Sequence, residues 1–154
     1  MGFNPLQTGL LVAIPPVAYV LAQPFVDRLA DKVSASLTIK VGLALSGLSI
    51  ILVPFVSQIA AMVIVFIVAG VGIATALTNT DIQVSNLTKG RKKGITAGAS
   101  GPFKEIGDML GPLLIGAVSQ AFGLTVGFLF CGVLGLLALA LISARQLRPG
   151  IPQT

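Results

Sequence analysis

Five runs of about twenty apolar residues, the length an α-helix needs to cross a hydrocarbon core of about 30 Å, divide this chain at its charged, polar, glycine and proline positions. They cover approximately residues 8–26, 37–56, 59–79, 94–120 and 124–144. None shows the apolar/polar alternation of a membrane barrel strand, and a spanning helix satisfies its own backbone hydrogen bonds. The pattern therefore predicts an all-α integral membrane fold with five transmembrane helices in one partial transmembrane domain. Pro15 and Pro16 interrupt the first run, and with no basic residue from Met1 to Thr8 the start is unlike a cleaved signal.

Composition agrees with lipid as the solvent. Hydrophobic residues make up 55% of the 154 positions, charged residues 10%, and the mean hydropathy is +0.98. A soluble domain carries about 25% charged residues. No sphere of this size has the interior to hide so much apolar surface. Histidine is absent and Cys131 is the single cysteine, which excludes an internal disulfide framework, a histidine-bound metal and histidine-based catalytic triads. No cofactor, metal site or enzymatic activity is expected.

The basic residues define an orientation. Arg28, Lys32 and Lys40 flank the gap between the first two runs; Lys89, Arg91, Lys92 and Lys93 lie between the third and fourth; Arg145 and Arg148 follow the fifth. The alternate segments hold no lysine or arginine, so the positive-inside rule places the amino terminus outside and the carboxyl terminus in the cytoplasm. The net charge of +5 then reads as topology and contact with anionic lipid rather than nucleic-acid binding.

The fourth run is the least apolar and the most informative. Successive helical residues turn by about 100°, so Lys104, Glu105 and Asp108 fit within an arc of about 100°. With a helix start near Gly94, Asp108 lies about 21 Å along the axis, close to or beyond the midplane. An unpaired charge there costs about 2.5–3.5 kcal/mol on insertion scales, so the group faces a cavity or finds a partner. Lys104 and Asp108 have the spacing of an intrahelical pair, which leaves Glu105 as the carboxylate most suited to take up and release a proton. With a start near Pro102 the same three are ordinary charges at the inner interface. Gly107 and Gly111 form a G-x-x-x-G packing pair, Pro112 removes a helical hydrogen bond and bends the helix, and Gly116 extends the small face. Tyr19 and Gln23 in the first run, and Asn79 with its polar neighbours at the end of the third, are further candidates for lining a pathway or, for Asn79, for a solvated helix end.

Two motifs carry a family resemblance. The segment from Gln23 to Lys32 resembles the G-x-x-x-D-R-x-G-x-R-R loop of the major facilitator superfamily, with Asp27, Arg28 and Lys32 on matching positions and Gln23, Ala30 and Val33 departing from it. Gly107-x-x-x-Gly111-Pro112-x-x-x-Gly116 is similar to the G-x-x-x-G-P-x-x-G-G signature of exporter members, with one extra residue before the last glycine. The resemblance implies a carboxyl-terminal half fragment, helices eight to twelve of a twelve-helix transporter, or helices two to six. It further implies a gating role for Asp27, Arg28 and Lys32, and alternating access with proton-coupled efflux of a small organic solute or drug. The partners it implies are the lipid bilayer, the solute, protons and the missing transporter half, in a bacterial plasma membrane. The alternative is a nonenzymatic subunit such as the permease domain of an ATP-driven transporter, although the inside loop from Thr80 to Lys93 lacks the apolar stripe of a coupling helix. An intramembrane aspartyl protease fits poorly, because no second transmembrane aspartate accompanies Asp108.

Overall fold

The computed structural model describes residues 4–30, 33–87 and 93–146, and for residues 30, 81–87, 93–101, 103, 104, 145 and 146 the backbone alone. Its elements are α1 (Pro5–Ala30), α2 (Ala35–Leu52), a short 3-10 turn (Val53–Phe55), α3 (Ile59–Leu87), α4 (Lys93–Phe122) and α5 (Leu124–Gln146). Among the described residues, α1, α2 with its 3-10 extension, α3 and α5 are long and apolar enough to cross a membrane. The charges in its sequence set α4 apart from these four.

Several boundaries differ from the hydropathy pattern. α1 runs unbroken through Pro15, Pro16 and Pro24, because a membrane helix tolerates prolines where neighbouring groups satisfy the freed carbonyls. It also continues to Ala30, so Asp27 and Arg28 sit on its last turn rather than in a loop; Lys32 lies outside the described residues. α3 extends eight residues past Asn79, which turns much of the expected inside loop into helix. α4 starts at Lys93 rather than near Pro102. Gly123 then breaks α4 from α5 with a left-handed backbone (φ 94°), its N–H donating to the Ser119 carbonyl at 2.9 Å.

Across the bundle the helices follow the order α1, α3, α2, α5, α4, so α2 and α3 form its centre. Burial is inverted relative to a soluble protein. Alanines and the polar residues Thr38, Ser46, Ser49, Thr75 and Asn79 make up much of what is buried, whereas Phe25 and Leu141 are 71% and 68% exposed. Such a surface is stable only in hydrocarbon.

Close approach of the helices depends on missing side chains. A Cβ added at Gly42 of α2 would lie 2.6 Å from Ala76 N and 2.7 Å from Gly72 O of α3, and one at Gly72 would lie 2.6 Å from Ser46 N. α5 meets α2 at Gly132, where a Cβ would lie 2.7 Å from Gly47 O, and α3 meets α1 where Gly70 abuts Pro15 and Ala18. In lipid, where tails compete with side chains on equal terms, such backbone contact drives association. Gly42→Ala is expected to cost about 1–3 kcal/mol, the usual penalty of overpacking, because only backbone could yield. Thermal unfolding in detergent checks this against Gly107→Ala, where nothing lies within 4 Å and the alanine should be neutral or stabilising.

Candidate functional site

α4 leans on α5 near their shared turn, where Gly127 meets Ser119. Gly111, Ile115, Val118 and Ser119 are its partly covered positions and mark the α5-facing side. Glu105, Asp108, Pro112 and Gly116 fall within an arc of about 80° that overlaps that side at Asp108, and Ile106, Leu110, Leu114 and Ala117 form an apolar face roughly opposite them. Glu105, Asp108, Pro112 and Gly116 are all exposed, so two carboxylates, a proline and a glycine share one uncovered strip. The Lys104 side chain lies outside the described ones, and so does its pairing with Asp108.

The expected packing glycines are open as well. No atom lies within 4 Å of a Cβ added at Gly107, Gly111 or Gly116. Among the described residues nothing packs on them, in contrast to the tight glycines of α2, α3 and α5. Gly107 is exposed and Gly111 only partly covered, because α4 contacts α5 near the turn and stands free of it toward Glu105.

α1 and α3 carry the other expected groups. Gln23 Nε2 donates to Tyr19 Oη at 3.0 Å, one helical turn apart and partly buried. Asp27 and Arg28 are exposed on the final turn of α1. Asn79 is not a solvated helix end: it is fully buried, and its Nδ2 donates to the Thr75 carbonyl at 2.8 Å while its Oδ1 has no partner. It lies one turn beyond Ala76, in the seam between α3 and α2, whose polar character comes from Thr38, Ser46, Ser49 and Thr75. Three of these hydroxyls fold back on their own helices, with Thr38 donating to Ser34 O, Ser46 to Leu43 O and Thr75 to Val71 O. The small residues flanking this seam, Gly42, Ser46, Gly72 and Ala76, were the signal available in the sequence.

An unpartnered acceptor in hydrocarbon is destabilising, whereas an apolar group of similar shape is not. Asn79→Leu is therefore expected to leave thermal stability unchanged or raise it by about 1 kcal/mol. A loss of several kcal/mol in detergent unfolding would show that the buried oxygen is satisfied in the folded protein.

The family model for the Major Facilitator Superfamily matches residues 1–153. An uncharacterized MFS-type transporter of Methanocaldococcus jannaschii is 28% identical over 147 residues, which are 96% of this chain and 38% of that protein. The chain thus spans well under half the length of this relative. No solved structure gives a significant match.

Proposed function

Because the chain belongs to the Major Facilitator Superfamily, we propose that it is part of a secondary transporter that moves a small organic solute by alternating access, rather than a catalyst. The observation that carries this reading is the exposed strip of α4, on which Glu105 and Asp108 stand where no element of the chain covers them. Carboxylates in a span cannot face lipid without a large cost, so the strip borders a water-filled pathway closed on its far side by the remainder of the transporter. Glu105 takes up and releases the coupling proton, and Lys104 and Asp108 have the spacing of an intrahelical pair. Gly107, Gly111 and Gly116 let helices of the missing half approach, and Pro112 gives α4 its bending point. The one-residue departure at Gly116 notwithstanding, this glycine-proline run supports export.

Asp27 sits at the inner end of α1, where a carboxylate attracts the positive amino-terminal end of a neighbouring helix and holds one gate state. Arg28 and Lys32 complete the gating segment. The basic clusters support an orientation with the amino terminus outside and the carboxyl terminus inside, in a bacterial plasma membrane.

Glu105→Gln in the full-length transporter is expected to abolish the component of transport driven by a proton gradient while leaving downhill exchange of solute. Proteoliposome flux with and without an imposed pH gradient measures the two components. Unchanged gradient-driven flux removes Glu105 from coupling. For the gate, Asp27→Asn is expected to shift the accessibility of pathway cysteines toward one side of the membrane, read by labelling with impermeant maleimides.

A further inference from the structure

α1 and α3 enclose an open groove of about 790 Å³ along the flank of their contact. Its walls include Leu10, Val17, Leu21 and Phe25 of α1 and Ile67 and Val71 of α3, and Thr75 is the single polar residue among those lining it. From Leu10 to Leu29 it follows α1 for about 28 Å, close to the full hydrocarbon thickness. A groove with no polar group along most of its length offers nothing to orient a polar solute. It suits an alkyl chain.

The cytoplasmic end of the groove is marked by charge. Arg28 lies eighteen positions, or about five whole turns, beyond Leu10, and seven, or about two turns, beyond Leu21, so it shares the groove-lining face of α1. It is exposed, one position from Leu29 and three from Phe25, both of which line the groove. Asp27 points about 100° away around the helix. A single leaflet contributes chains of about 15 Å, half the hydrocarbon core, and from Arg28 that length reaches back to about Val17.

We propose that this groove is a binding site for an anionic phospholipid, with one acyl chain lying between α1 and α3 and its phosphate held by the Arg28 guanidinium. The pairing follows from charge complementarity: a planar guanidinium binds phosphate oxygens in a bidentate fashion and tolerates the interface better than an ammonium. Lipid held there would brace α1 against α3 next to the Asp27 gate. The site depends on membrane residence and not on the identity of the transported solute, so a failed transport assay leaves it standing.

The test uses the full chain in nanodiscs of equimolar phosphatidylglycerol and phosphatidylcholine, each supplied in turn with a photoactivatable acyl chain, and maps the cross-links by mass spectrometry. Cross-links are expected between Val17 and Phe25 and at Val71 and Thr75, favouring phosphatidylglycerol by about fivefold, the ratio that one cation near an anionic surface supplies. Arg28→Gln should bring that ratio to about one while cross-links persist at the same residues, which shows the groove intact, and Arg28→Lys should retain a preference. Equal yields for the two lipids, a preference unchanged in Arg28→Gln, or cross-links scattered over all helices would overturn the proposal. So would a groove free of cross-links in the full-length transporter, because polypeptide would then fill it.

Discussion

Backbone-to-backbone contact at a few glycines holds this bundle together, and the rest of the arrangement follows from it. In a hydrocarbon solvent a leucine gains little by turning inward, so large side chains stay outside and small ones occupy the crossings. Gly42 and Gly72 bring α2 and α3 within van der Waals reach of each other's main chains, and Gly47 with Gly132 does the same for α2 and α5. That close approach leaves a narrow seam in which threonine, serine and a single asparagine are buried.

α4 lacks such a crossing over most of its length. Its tight glycine contact among the described residues, Gly127 against Ser119, lies beside the Gly123 turn, and beyond it the helix presents three faces of different chemistry. One leans toward α5, one is apolar, and one bears Glu105, Asp108, Pro112 and Gly116. The helix least suited to lipid is also the helix least covered by its own chain. Under the proposed reading, a second polypeptide surface and an aqueous path together account for both features.

Much of the fold was legible because the bilayer imposes one length on every span. The five runs correspond to the five helices, and the break at Gly123 is visible in the sequence as glycine between two apolar stretches. The helix ends were less legible, since hydropathy reports where lipid begins and not where hydrogen bonding stops: α3 continues past Asn79 to Leu87 for that reason. The proline pair at 15 and 16 lies inside the helix expected over residues 8–26, because helix breakers lose much of their force where no water competes for the backbone. Of the candidate site, the charged strip on α4 could be placed by helical angle alone. The tight glycines could not, because the spacing of Gly107 and Gly111 resembles that of Gly42 and Ser46, and only the three-dimensional arrangement separates an occupied packing face from an open one.

The account stands on α4 bordering water on one side and lipid on the other within a membrane. Single cysteines introduced along α4 of the full-length transporter, with Cys131 replaced by alanine, and exposed to a membrane-impermeant maleimide test this most directly. Reaction at positions 105, 108, 112 and 116 with protection at 106, 110, 114 and 117 is the predicted result. Uniform protection, or reaction at the apolar positions equal to that at the charged strip, would contradict it.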